Sequence, residues 1–258
     1  MLSMMRHLFK GLLIVAVVWP AMSSAAISQP QVHALQLDVW RVRANFHMYT
    51  VMAGDRQYQQ ILNRTIQDAS RSFQTLVNNA ESDAEMGLIS SLRPLWQELE
   101  EAARGNLIAE QGYTDTYATQ DVNSFSTRIA LLLEEYDAAA SQPGDDLMAM
   151  AVYMQRITSE YLALAADPGG GMAAATGEGR IEFRDAVPVF DQMVSDALRR
   201  YRGEDATGRA LEDVEAKWQF IRESLVKFYE NAVPFLVHRY TQEMVNGLKS
   251  SAERQREG

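Results

Sequence analysis

The chain contains no cysteine, and that absence excludes several kinds of chemistry. With no cysteine among its 258 residues, it can form no disulfide, thiolate nucleophile, cysteine-based zinc site or haem attachment through Cys-x-x-Cys-His. A phosphate-binding glycine loop is missing from the sequence too. Stability must therefore come from the apolar core, which is feasible in a chain of this length with 47% apolar residues.

Long apolar runs are also scarce, and the only one lies at the N-terminus. Arg6 and Lys10 precede an apolar stretch at residues 12–18, and small residues follow at 23–26. This order predicts a signal peptide at residues 1–26, cleaved near Ala25 or Ala26, and a periplasmic location. The alternative is an inner-membrane anchor formed by residues 8–22, although Pro20 interrupts the run well short of the roughly 20 residues that a span requires.

Basic residues are outnumbered by acidic ones. The sequence has 24 Lys and Arg against 34 Asp and Glu, a formal charge of −10. Loss of Arg6 and Lys10 with the leader would make it about −12. Nucleic acid and anionic lipid surfaces are therefore disfavoured as partners.

Strand-like alternation is absent, and apolar residues instead recur every three or four positions. Such spacing is typical of helices that pack in left-handed bundles. The seams are Leu35, Val39, Val42, Phe46, Tyr49; Ile89, Leu92, Trp96, Leu99, Ala103; Val122, Phe125, Ile129, Leu132, Tyr136; Leu147, Met150, Met154, Ile157, Tyr161; and Leu211, Val214, Trp218, Ile221, Leu225, Phe228. We expect one apolar stripe per helix, with charged flanks, in an all-α fold.

Helix breakers divide the seams into two groups of four. Breaks are predicted at Gly54, at residues 105–112, 141–144 and 203–208, and in a loop from Pro168 to about Arg180. Ser82 and Glu85 form a capping box at the start of the third helix. Pro94, Pro188 and Pro234 should each kink a helix or mark its first turn. The sequence thus predicts two tandem up-and-down four-helix bundles, at residues 30–140 and 145–250.

The two halves also resemble each other. Tyr49 can be aligned with Tyr161, and the spacing of Phe73 and Trp96 is echoed by Phe190 and Trp218. Equal helix number and matching aromatic positions favour an internal duplication.

The second half resembles a known sensor family. The matching residues are the run MQRITSEYLAL from Met154 to Leu164, then Phe190-Asp191-x-Met193, then Leu211-x-x-Val214-x-x-x-Trp218. This pattern is similar to the sensory domain of type IV pilus methyl-accepting chemotaxis transducers, which is related to the periplasmic domain of nitrate/nitrite sensor kinases. The similarity spans about residues 147–248, with a weaker echo at 32–136.

The resemblance implies a periplasmic bundle that binds a small anion, another small ligand or a signalling partner. Gln155 and Arg156 are the residues it assigns to ligand or partner contact, on a helix that would face a second protomer of a homodimer. Nitrate sensors carry an arginine followed by a methionine where this chain has Ala151 and Val152, so the resemblance leaves nitrate-type binding open. The alternative for Arg156 is a surface arginine paired with Glu160 four residues on.

Three functions stay open at this level. The first is a binding module that recognises a small ligand, a membrane sensor or a pilus or chemotaxis component, without an output domain of its own. The second is a structural envelope scaffold. The third, an uncharacterised helical enzyme, ranks last because we identify no catalytic residue, metal site or cofactor. His33, His47 and His238 lack the Glu-x-x-His spacing of metal sites in bundles, so structural or solvated roles are expected.

Overall fold

The computed structural model describes residues 27–136, 138, 141–167, 180–203 and 205–257. Within these ranges the chain forms helices and no strands, so the all-α prediction is confirmed. The predicted signal peptide and most of the loop after Pro168 lie outside the described residues. The helices are α1 (Gln29–Val51), α2 (Arg56–Asn79), α3 (Asp83–Arg104), α4 (Ile108–Gln111), α5 (Thr116–Glu135), α6 (Asp145–Ala166), α7 (Phe183–Arg200), α8 (Asp205–Val226) and α9 (Pro234–Glu257).

In the part of the chain that the structure describes, eight long helices form two four-helix bundles. Helices α1, α2, α3 and α5 pack around one apolar core, and α6, α7, α8 and α9 pack around another. Each helix contacts its sequence neighbours within the bundle, as an up-and-down arrangement requires. Whether each bundle folds by itself stays a prediction.

Several helix ends lie where capping, glycine and proline residues occur in the sequence. The capping box of α3 is formed as predicted, with the Ser82 hydroxyl accepting from the Glu85 backbone N–H and Glu85 accepting from the Ser82 N–H. Gly144 precedes α6 with φ of 81°, a conformation that favours glycine, and its Cα lies against the Ala252 backbone where a Cβ would clash. Pro234 begins α9, as expected of a first-turn proline.

Two predicted boundaries are wrong. Residues 105–112 contain the short helix α4 rather than only a loop, and α8 begins at Asp205, inside the predicted break at 203–208. Pro94 and Pro188 lie inside α3 and α7, which continue past them, so of the two roles predicted for these prolines the kink is the one that stays a prediction. At these positions the helix continues despite the glycine or proline, because packing of the apolar face on both sides stabilises it by more than the lost backbone hydrogen bond costs.

The first helices of the two bundles, α1 and α6, pack closely against each other. They run in the same direction, because the early residues of both meet at one end of the molecule and the late residues of both meet at the other. Most of each helix is consequently buried, including polar positions. The expectation of one apolar stripe per helix is wrong for these two: Leu37, Trp40, Ala44 and Met48 of α1 form a second stripe that joins the core of the second bundle.

No helix in the described part of the chain combines the length and apolar character needed to cross a bilayer.

Candidate functional site

A buried ion pair joins the bundles at the middle of the α1–α6 contact. The Arg43 Nη2 of α1 lies 2.9 Å from Glu160 Oε2 of α6, and both side chains are almost fully buried. Arg43 also donates through Nη1 to the Ser159 hydroxyl at 3.1 Å and through Nε to Asn123 Oδ1 of α5 at 2.7 Å. Its hydrogen bonds thus span both bundles.

Burial makes this pair sensitive to its surroundings. Removing two charges from water costs several kcal/mol per ion, and the cost is recovered only where geometry is good and additional hydrogen bonds are present. Those conditions hold for Arg43, whose guanidinium also lies 5.7 Å from the centre of the Trp40 ring. A shift that separated the bundles here would leave the Arg43 charge buried without its carboxylate, which is costly.

The neighbouring His47 is held neutral by burial. Asn123 Oδ1 lies 2.8 Å from His47 Nε2, and an amide oxygen can only accept, so Nε2 carries the proton. Burial, reinforced by the nearby Arg43 charge, lowers the pKa of His47 to about 3. This histidine is therefore buried and neutral rather than solvated.

A second polar chain crosses between the bundles at His238. The ring of this α9 residue lies 2.8 Å from Asn45 Oδ1 of α1, and Asn45 Nδ2 donates to the Thr65 hydroxyl of α2 at 2.8 Å. Burial lowers the pKa of His238 to about 4, with a smaller contribution from Arg41. His238 is thus also neutral and structural at pH 7.

Arg156 lies at a junction of the two bundles rather than on an open surface. The predicted alternative, an ion pair with Glu160, is wrong because Glu160 is turned inward to Arg43. Arg156 instead pairs at 2.9 Å with Glu134 of α5, and its guanidinium lies 5.5 Å from the centre of the Trp40 ring. Its side chain is only 18% exposed, whereas that of Glu134 is 41% exposed.

Arg156 lines a cavity of about 360 Å³ between the bundles, which we call the Arg156 cavity. Helices α1, α5, α6 and α7 all contribute to it. Its polar wall contains hydrogen-bond donors, and its apolar wall includes Leu133, Val152 and Met193. The residues that line it are Gln29, His33, Gln36, Leu133, Glu134, Tyr136, Ala149, Val152, Tyr153, Arg156 and Met193.

His33 lines this cavity, and its tautomer follows from its contact with Gln29. Gln29 Nε2 lies 2.9 Å from His33 Nε2, and because an amide nitrogen only donates, Nε2 must accept and Nδ1 carries the proton. That buried Nδ1 has no hydrogen-bond partner among the described residues. Burial also lowers the pKa of His33, so the ring is neutral at pH 7.

The second predicted site residue, Gln155, is buried and does not line the Arg156 cavity. The face of α6 that the resemblance assigned to a partner protomer packs on α1 of the same chain. Homodimerisation stays a prediction, but it would require a different surface from this one.

In the described ranges, no group of three or more His, Asp and Glu side chains is positioned to hold a metal ion. Arg43 was not among the residues expected at a site, and Glu160 was expected only as a surface partner of Arg156. The available signal was the occurrence of Asp38 and Arg43 between two apolar stripes of α1, since charges within an apolar helix imply a buried polar contact.

Comparison with known proteins adds no relative, because no family model, curated protein or solved structure matches this chain.

Proposed function

We propose that this protein is an exported, non-catalytic binding module that holds a small anion in the Arg156 cavity. One observation carries the proposal: a largely buried guanidinium, fixed between two bundles, faces a cavity of ligand size. The exported location is supported by the leader-like pattern of residues 1–26.

The anion preference follows from how Arg156 is paired. Guanidinium groups bind carboxylates and similar planar anions through two parallel hydrogen bonds. Glu134 is the half-exposed partner, and a pair with one such exposed member contributes only about 0 to 1 kcal/mol. A ligand anion can therefore replace Glu134 at low cost, while the Glu134 carboxylate turns to water.

His33 supports the same ligand class. Its Nδ1–H is a donor that lacks an acceptor in the described structure, and a buried donor left unpaired costs about 1 to 3 kcal/mol. A rotation of the His33 ring toward the cavity would let an anion accept from this N–H and remove that cost. Because Ala151 and Val152 supply no second guanidinium, we propose a carboxylate on a short apolar body rather than a nitrate-type ligand.

Signalling is the role that fits such a site. A ligand held by Arg156 of α6 and by α1 residues contacts both bundles, so its binding would favour one relative arrangement of them. By analogy with the sensor family, a membrane sensor or a pilus or chemotaxis component would recognise that arrangement. An envelope scaffold is the alternative if no ligand binds.

The test is an Arg156→Ala substitution assayed with sodium benzoate and, separately, sodium nitrate. Binding would be followed by the NMR methyl resonance of Ala149, which lines the cavity, and by tryptophan fluorescence, to which Trp40 beside Arg156 contributes. We expect benzoate to shift both signals, Arg156→Ala to weaken its binding at least tenfold, which is about 1.4 kcal/mol, and the melting temperature to change little.

Two variants make the test specific. Arg104→Ala removes an arginine from an ion pair with Glu100 on α3 that does not line the cavity, and it should leave benzoate binding unchanged. Glu134→Gln removes the competing carboxylate and should tighten binding. Collapse of the fold in Arg156→Ala, or benzoate binding that ignores both Arg156 and Glu134, would reject the proposal.

A further inference from the structure

A second cavity lies at the opposite end of the α1–α6 contact, and it shares no lining residue with the Arg156 cavity. Its volume is about 440 Å³, within the range of small-molecule sites. The last turns of α1 and α6 and the first turns of α5 form its walls, and α4 and the segment after it close one side. We call it the His47 cavity. Both bundles contribute to it.

The walls are polar but carry little charge. Four threonines, Thr50, Thr114, Thr116 and Thr119, line it, together with the amides of Gln120 and Asn123. The described lining includes no lysine or arginine, and Asp167 is its one carboxylate. His47 is neutral because burial lowers its pKa to about 3.

Hydrogen bonds to neighbouring side chains hold the polar groups of the cavity wall in place. Asn123 Oδ1 accepts from Arg43 Nε and from His47 Nε2, at 2.7 and 2.8 Å. The Thr50 and Thr114 hydroxyls lie 2.9 Å apart, and buried Asn106 donates to Thr50 at 2.9 Å. A wall whose rotamers are fixed in this way loses little entropy when a ligand binds.

The same hydrogen bonds show which polar atoms of the wall a ligand could use. Asn123 Oδ1 and the Nε2–H of His47 are already hydrogen-bonded. The Asn123 Nδ2 hydrogens are then available as donors and His47 Nδ1 as an acceptor. Ala163, Ala166 and Ile108 add apolar surface. The cavity thus offers a donor, an acceptor and a small apolar wall.

We infer that the His47 cavity is a second binding site, for an uncharged molecule that carries hydroxyl or carboxamide groups on an apolar body. Anions are disfavoured because the described lining has no lysine or arginine, and Arg43, which donates to the wall residue Asn123, is already paired with Glu160 at 2.9 Å. An anion would enter this cavity without a lysine or arginine of the described lining to replace its water, and a cation would meet only Asp167, which already has an interaction partner. Either charge would lose more hydration than it regains, which is costly. The inference does not depend on Arg156.

Three isosteric probes test the charge preference in the full chain: benzamide, benzoate and benzamidinium. Alanine methyl groups would be labelled, so that Ala163 and Ala166 report on the His47 cavity and Ala149 reports on the Arg156 cavity. We expect benzamide to shift Ala163 and Ala166, and the two charged probes to bind there at least tenfold more weakly. Absence of a benzoate-induced shift at Ala149 would contradict only the proposal that the Arg156 cavity binds an anion.

A matched pair of substitutions tests the location. Ala166→Leu places extra methyl groups on the cavity wall and should weaken benzamide binding at least tenfold, whereas Ala165→Leu is adjacent, does not line the cavity and should leave it unchanged. Thr116→Trp, at an exposed lining position, is the second blocking variant should Ala166→Leu destabilise the fold. Absence of benzamide shifts, equal binding of all three probes, or binding unaffected by the blocking variants would overturn the inference.

Discussion

At the scale of single residues, an aromatic pair recurs in both bundles. Phe73 stacks on Trp96 with ring centres 6.1 Å apart, and Phe190 meets Trp218 edge-on at 4.7 Å. Each pair joins the second and third long helices of its bundle. The repeat predicted from the sequence spacing thus corresponds to the same contact in both halves, which supports a duplication.

Trp218 is expected to be a major contributor to stability. It is fully buried, and its indole N–H donates to Asp191 Oδ1 at 2.6 Å. Trp218→Ala should lower the free energy of unfolding by about 3 to 5 kcal/mol, because a cavity replaces the ring. Urea denaturation followed by circular dichroism measures the change.

The conservative variant Trp218→Phe separates packing from hydrogen bonding. It keeps most of the ring volume and loses the bond to Asp191, so it should cost about 1 to 2 kcal/mol. Equal losses for the alanine and phenylalanine variants would contradict a role in packing.

At the scale of elements, α1 is unusual because it is central to the molecule. Neighbours on several sides bury its polar residues as well as its apolar ones, and the buried polar set comprises Gln36, Asp38, Arg43, Asn45 and His47. All of them except Gln36 form hydrogen bonds with α2, α5, α6 or α9. Buried polar groups in such a helix restrict the positions of the neighbouring helices, because each group must keep a hydrogen-bond partner.

The buried histidines at α1 predict acid sensitivity. The pKa values of His47 and His238 are lowered to about 3 and 4 from 6.5, so the unfolded chain binds more protons than the folded chain below pH 6.5. Stability should therefore fall by roughly 2 kcal/mol per histidine between pH 7 and pH 5. Urea unfolding at several pH values tests this.

Variants identify the source of that slope. The double substitution His47→Gln and His238→Gln should make stability much less dependent on pH between 7 and 5. Glu85, whose pKa is lowered to about 2 by backbone hydrogen bonds at the α3 cap, gives a loss only below its ordinary 4.5. An unchanged slope in the double variant would show that other groups titrate.

At the scale of the whole molecule, the main feature is that α1 belongs to both cores. Its first stripe packs in the first bundle, and Leu37, Trp40, Ala44 and Met48 pack in the second. The Arg43–Glu160 pair and both cavities lie along the same contact. Binding at either cavity is therefore placed where the bundles meet.

A fragment of residues 145–258 tests how far the bundles are independent. We expect it to be helical and to melt cooperatively, but at a lower temperature than the intact chain. Loss of α1 exposes the α6 face, and each large buried side chain accounts for roughly 1.5 to 3 kcal/mol. A molten or unfolded fragment in circular dichroism and near-ultraviolet spectra would mean that the eight long helices share one core.

Much of the fold follows from local sequence. The three-to-four spacing predicts the helices, because only one face of a bundle helix can be buried against its neighbours. Ser82, Gly144 and Pro234 mark ends because their side chains or backbone conformations suit those positions and few others. Even Arg156 was identified from the sequence as a candidate, although its partner was predicted wrongly.

The tertiary structure alone decided which helices meet between the bundles. Leu37, Trp40, Ala44 and Met48 form a readable second stripe, but periodicity does not specify which helix covers it. Arg43 with Glu160 and Arg156 with Glu134 are 117 and 22 residues apart along the chain, and any other acidic residue of equal exposure would satisfy the sequence pattern as well. Partner choice depends on simultaneous packing of both cores, because a buried charge is tolerated only where that packing brings its counter-charge within hydrogen-bond distance.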